Sequence, residues 1–140
     1  MSGVVNHVGL CVSDLARARR FYEGAFGFAF RDSLDVPDGA CARLLMVEPP
    51  VGLTACYLVL GDFVLELLHF ERTGNAPRRQ RHFTEPGLTH LSVTVEDLRA
   101  ACGRVAEFGG EVLDETRMGG RAIMVRDPDG QAIELIPAAG

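Results

Sequence analysis

The stretch NHVGLCVSDLARARRFYEGAFGF, residues 6–28, decides the fold because the chain contains it twice. Moving along by 83 positions (90 minus 7) lays it over THLSVTVEDLRAACGRVAEFGGE, residues 89–111, with His7 on His90, Asp14 on Asp97, Leu15 on Leu98 and Gly27 on Gly110. The apolar rhythm agrees, since Val8, Leu10 and Val12 fall on Leu91, Val93 and Val95. A second shift, of 68 positions (134 minus 66), lays FVLELL over QAIELI and puts Glu66 on Glu134. Two copies of one unit are therefore present, the first longer by 15 residues (83 minus 68).

Each copy reads in the same order. An alternating strand, at about residues 4–12 and 88–95, leads into an Asp at a helix start and then apolar residues at helical spacing. These are Leu15, Ala18, Phe21, Tyr22 and Ala25 in the first helix, and Leu98, Ala101, Cys102, Val105 and Phe108 in the second. Gly27 and the pair Gly109-Gly110 stop the helices. Strands are predicted at about 28–34, 54–60 and 63–70 in the first copy, and at 111–116, 122–126 and 131–136 in the second. Asp127-Pro128-Asp129-Gly130 is a turn by composition and should join the last two strands as a hairpin. The extra length around residues 38–52 predicts a short helix behind an Asp38 cap, closed by Pro49-Pro50. The reading is an α+β chain forming one domain over residues 1–140, with module 1 at about 1–73, a linker at about 74–86 and module 2 at about 87–140.

Composition narrows the function. A chain of 140 residues, 47% hydrophobic and 24% charged, has room for a genuine core. No apolar run approaches a membrane span, and MSGVVNHVGL has no signal-peptide pattern, so a cytoplasmic location without membrane attachment is expected. A net charge of −5 offers nucleic acid no excess positive field. All 14 basic residues are Arg, which removes Schiff-base chemistry and lysine-dependent phosphate loops. Cys11, Cys41, Cys56 and Cys102 form no CxxC pair and read as small buried hydrophobes.

The polar residues inside the repeat are the candidate site. In both first strands the residues following the histidine alternate between large apolar side chains and small ones, Gly9 and Cys11 in one copy, Ser92 and Thr94 in the other. A face of small residues carrying one histidine suits the floor of a cavity. Glu66 and Glu134 each stand among Val, Ile and Leu, where a lone charge is costly to bury. A divalent ion would compensate both carboxylates, and His7 and His90 would complete a mixed N/O set suited to zinc, nickel, cobalt, manganese or iron. His69 and His82 lack counterparts in the other copy and read as surface or pocket-rim residues. Tyr22 lies on the apolar stripe of its helix and reads as core, while Tyr57 is the other available phenol. Arg78-Arg79-Gln80-Arg81 reads as a solvated linker, with a clasp for a carboxylate or phosphate of a thiol cofactor or CoA as the alternative.

Taken together, NHVGLCVSDLARARRFYEGAFGF, FVLELLHF, GLTHLSVTVEDLRAA and RDPDGQAIELI resemble the vicinal oxygen chelate superfamily over nearly the whole chain. That superfamily includes glyoxalase I, methylmalonyl-CoA epimerase, extradiol dioxygenases, fosfomycin-resistance enzymes and bleomycin-binding proteins. The resemblance implies tandem β-α-β-β-β modules forming an open, cup-shaped mixed sheet with helices outside and one metal at its centre. Carried over by position, the ligands are His7, Glu66, His90 and Glu134, a set similar to that of bacterial glyoxalase I. It implies a small-molecule substrate, chemistry through an enolate or enediolate, compatibility with a thiol co-substrate, and Glu134 as principal base with Glu66 on the opposite face. An iron-dependent ring-cleaving dioxygenase and a non-catalytic drug-binding protein are the alternatives on this fold. An exposed sheet edge and an apolar sheet face in each module predict a homodimer.

Overall fold

The computed structural model describes residues 2–139. The chain divides into two compact units: residues 1–19 with 27–77, and residues 20–26 with 78–140. Each is built on one four-stranded mixed sheet, and the two copies fold in one pattern.

In the first unit the elements are β1 (Val8–Cys11), α1 (Leu15–Phe26, whose second half belongs to the other unit), β2 (Ala29–Asp35), α2 (Asp38–Leu45), β3 (Leu53–Leu60) and β4 (Phe63–Phe70). The sheet order is β1-β4-β3-β2, with β1 parallel to β4 and the other pairs antiparallel. In the second unit β5 (Leu91–Val95), α3 (Leu98–Glu107), β6 (Glu111–Leu113), β7 (Ile123–Arg126) and β8 (Ala132–Pro137) give the order β5-β8-β7-β6 with the same parallel and antiparallel pairs. The β-α-β-β-β unit expected from the repeat is present in both copies.

Alternation sets the faces. Leu65 and Leu67 on β4, and Ile133 and Leu135 on β8, are fully buried, while Glu66 and Glu134 between them point to the opposite face. Asp14 and Asp97 cap α1 and α3 identically, accepting the amide protons of Arg17 at 2.9 Å and Ala100 at 2.8 Å.

Several expectations are corrected. The first strand of each copy is shorter than predicted, because its ladder runs only from Val8 to Cys11 and from Leu91 to Val95, leaving His7 and His90 just before the strands. The predicted short helix is α2, but Asp38 does not cap it. Its carboxylate instead accepts the amides of Val51 and Gly52, which tie the far end of the insertion to the helix start and hold the Asp38 carboxyl below its ordinary range. Three of the cysteines are buried as expected, whereas Cys11 is exposed on the face shared by Gly9. Residues 114–116 leave the strand predicted there for a single 3₁₀ turn, in which Thr116 Oγ1 accepts the Met124 amide.

The segment read as a linker is a built loop. Arg81 donates to the carbonyls of Glu85, Pro86 and Leu88, and Glu85 in turn receives Arg79 at 2.9 Å and the His82 amide at 3.0 Å.

The core of the second unit includes part of the first helix. Phe21, Tyr22 and Ala25 are buried with Ala101, Val105, Ile123 and Val125. A side chain at Gly110 would place its Cβ 2.6 Å from both the Phe21 ring and the Arg126 carbonyl, so only glycine admits the phenylalanine there. Tyr22 is core, as expected, but also polar: its hydroxyl donates to Asp127 Oδ2 at 2.8 Å. Asp127 Oδ1 accepts the amides of Asp129 and Gln131, closing the β7–β8 hairpin predicted from the turn composition.

Burial, the largest cause, raises the Asp127 carboxyl above its ordinary value, and burial followed by the adjacent Asp127 raises the Tyr22 phenol well above 10. A folded-state Asp pKa above the unfolded value favours folding most below the unfolded pKa, and that contribution is lost as pH rises through the folded one. The ionised carboxylate then leans hardest on the phenol. Tyr22→Phe is expected to cost about 1–3 kcal/mol, with the deficit widening as pH rises through the Asp127 titration. Denaturant unfolding of both proteins across that range measures it, and a pH-independent deficit would reject the coupling.

Candidate metal centre

Each unit brings one of the predicted histidines to one of the predicted glutamates. In the first, Gly9 on β1 and Tyr57 on β3 both pair in register with Glu66 on β4. His7 precedes β1, and its Nε2 lies 3.3 Å from Glu66 Oε1. In the second, Ser92 on β5 and Met124 on β7 pair with Glu134 on β8. His90 precedes β5, with its Nε2 3.8 Å from Glu134 Oε1.

The residue before each histidine fixes its ring. His7 Nδ1 is 2.6 Å from Asn6 Oδ1, an acceptor, so the contact favours a proton on Nδ1 and turns Nε2 towards Glu66; in the neutral tautomer Nε2 is then the nitrogen able to ligate. His90 Nδ1 is 2.8 Å from Thr89 Oγ1, a hydroxyl that can accept in the same way. Phe83 stacks on the His90 ring at 5.5 Å between centroids and 11° between planes, and the Tyr57 ring meets His7 edge-on at 5.6 Å.

These features fit a divalent ion. Donors each about 2.1 Å from one metal at ordinary angles lie roughly 3.0–3.4 Å apart, close to the separation of the first pair and a little shorter than that of the second. Holding Nδ1 so that Nε2 faces the ion is the usual outer-shell arrangement for a histidine ligand. The structure assembles the four predicted residues as two pairs. Among the described residues no group of three or more His, Cys, Asp or Glu is arranged to hold a metal.

The two carboxylates are less buried than their apolar neighbours suggested, with side-chain exposures of 13% for Glu66 and 32% for Glu134, because they share the open sheet face with the histidines. They are also held differently. Glu66 Oε2 accepts the Tyr57 hydroxyl at 2.7 Å, and that hydrogen bond is the main cause lifting the Tyr57 phenol to about 12. Glu134 Oε1 accepts Ser92 Oγ at 2.8 Å, while its Oε2 accepts no hydrogen bond among the described residues. The repeat is thus broken around the carboxylates: tyrosine faces one glutamate, and methionine stands at the equivalent place opposite the other.

Tyr57, Ser92, Asn6 and Thr89 did not stand out as site residues in the sequence. Tyr57 could have been found by counting across the tight turn at Gly61-Asp62, which sets it opposite Glu66. Of the unpaired histidines, His82 borders a cavity of the second unit and His69 is half-buried on β4.

Comparison with known proteins agrees with this architecture. Residues 4–135 match the glyoxalase/bleomycin resistance protein/dioxygenase superfamily, and the chain belongs to it. A lactoylglutathione lyase of Neisseria meningitidis is 30% identical over 138 residues, covering 93% of this chain and 87% of that protein. An ethylmalonyl-CoA/methylmalonyl-CoA epimerase of Cereibacter sphaeroides is 31% identical over 115 residues, covering 81% of this chain and 76% of that one. Among solved structures, a glyoxalase family protein from Bacillus cereus superposes with a TM-score of 0.83 at 20% identity, over 97% of this chain and 94% of the other, which supports the fold. No helix of the described residues is long and apolar enough to cross a membrane.

Proposed function

We propose that the chain is a divalent metal-dependent enzyme moving a proton between adjacent carbons, or off and onto one carbon, of a small carbonyl substrate. The reaction is of the glyoxalase I-like lyase/isomerase or epimerase type. His7, Glu66, His90 and Glu134 are the proposed ligands of one metal, contributed within one chain or across a homodimer. A bound ion there supplies Lewis-acid stabilisation of the negative charge that develops on substrate oxygen.

The observation that carries the reading is the unequal tethering of the two glutamates. Glu134, held by Ser92 rather than by a phenol and the more exposed of the two at 32% against 13%, is the better placed to take a proton from carbon and return it. Glu66, whose Oε2 is engaged by the Tyr57 hydroxyl, acts on the opposite face. Asn6 and Thr89 keep the histidines in the required tautomer. The two relatives, one named a lyase and the other an epimerase, support this class.

Metal analysis and turnover test it together. Purified protein is expected to carry close to one divalent ion per chain, and to incorporate solvent deuterium into product from either 2-oxoaldehyde hemithioacetals of several thiols or chiral acyl-CoA esters. Oxygen uptake with a catechol, without deuterium incorporation from either substrate class, would overturn the proposal in favour of ring cleavage. Light scattering at micromolar concentration tests the dimer.

A further inference from the structure

The second unit contains a cavity of about 500 Å³ on the sheet face that carries Glu134. Ala132 on β8 and Met124 and Arg126 on β7 form its floor, and register places these side chains on the same face as Glu134. Its wall is the loop that Arg81 braces, through Arg78, Gln80, Arg81, His82 and Phe83. Three guanidinium groups therefore line one cavity, and no Asp or Glu lines it.

The three arginines are not equivalent. Arg81 is occupied with the carbonyls of its own loop and shapes the wall. Arg126 has only a loose partner, Glu111 Oε2 at 3.7 Å, itself largely exposed. Arg78 makes no ion pair or hydrogen bond among the described residues, and its Nε lies 3.2 Å from where a Cβ would stand on Gly130. Glycine at 130 satisfies the positive φ of 93° in the hairpin and also leaves the room that Arg78 occupies.

We propose that this cavity binds the phosphate groups of the substrate's carrier, with Arg78 and Arg126 as the anion receptors. This deepens the function proposed above by naming the substrate class: a thiol conjugate or thioester of a phosphorylated carrier. Guanidinium forks match phosphate oxygens in pairs, and a volume of this size admits more than one such group. A peptide thiol such as glutathione offers the guanidinium forks carboxylates of lower charge than phosphate together with an α-ammonium that no lining carboxylate receives, so it fits less well.

Calorimetric titration with coenzyme A, inorganic pyrophosphate and glutathione, in the presence of a chelator, reads binding without turnover. It therefore stands or fails separately from the proton-transfer proposal, which deuterium incorporation tests. Coenzyme A and pyrophosphate are expected to bind, more weakly as salt rises, and glutathione at least roughly 10-fold more weakly than coenzyme A. Arg78→Ala and Arg126→Ala should each weaken coenzyme A binding by roughly 10-fold or more, the scale of a lost charged hydrogen bond. Arg79→Ala, which removes a neighbouring charge paired with Glu85 outside the cavity, should leave it unchanged. Circular dichroism confirms that each variant is folded. Equal losses in Arg79→Ala, or glutathione binding more tightly than coenzyme A, would overturn the assignment.

Discussion

Replacing Glu134 by glutamine should lower turnover by roughly two orders of magnitude or more, the usual scale for losing a general base, while the protein keeps at least part of its metal. Glutamine preserves the size of the side chain and a carbonyl oxygen able to coordinate and to accept from Ser92, but it has neither the charge nor the basicity for proton transfer. If Glu134 served only as a ligand, activity would follow metal occupancy and return with excess metal. Glu66→Gln is the matched comparison. Its carbonyl can still accept the Tyr57 hydroxyl, so the tether survives and the change should be milder. Fully metal-loaded proteins with Glu66→Gln inactive and Glu134→Gln active would exchange the two roles.

Removing either histidine should abolish stable metal retention. His7→Ala and His90→Ala each delete one nitrogen donor of the proposed four-ligand set, and the methyl group left behind cannot coordinate. Both imidazoles precede their strands and are partly exposed, at 32% and 30% of their side-chain surface, so the fold should be little changed. Elemental analysis after dialysis provides the test. Asn6→Ala, which removes only the group orienting His7, should weaken metal binding by roughly 10–100-fold and so separates orientation from ligation. Unchanged metal content in both histidine variants would remove the proposed centre.

The repeat made much of this readable in advance. Recurrence of histidine and glutamate at equivalent places in two copies, despite the 15 extra residues between them in the first, identified the residues that the sheets bring into two pairs, and alternation set the glutamates on the face away from their buried apolar neighbours. The tethers were less visible. Ser92 and Met124 differ from Gly9 and Tyr57 at matching ladder positions, but what each contributes depends on which partner its side chain meets across the sheet. The arginine-rich stretch is solvated, as its polar composition implied, with Arg78, Arg79 and Gln80 exposed. Its order comes from Arg81 bonding to three carbonyls of its own loop, a conformation no local pattern announces. Asp127 was legible as a turn residue, whereas its burial depends on a tyrosine 105 positions earlier.

That long-range tie limits how the gene can be divided. Cut at the repeat boundary, the downstream piece would begin near Arg78 without Phe21, Tyr22 and Ala25, and Arg104 would lose the Ala25 carbonyl it reaches at 3.1 Å. An open seam would remain where two aromatic rings belong, and Asp127 would lack its phenol. The duplicated halves are consequently not interchangeable cassettes. A fragment of residues 78–140 should fold poorly alone and recover order when a peptide spanning α1 is supplied in trans, so any recombination that respects the repeat must carry the helix across with it.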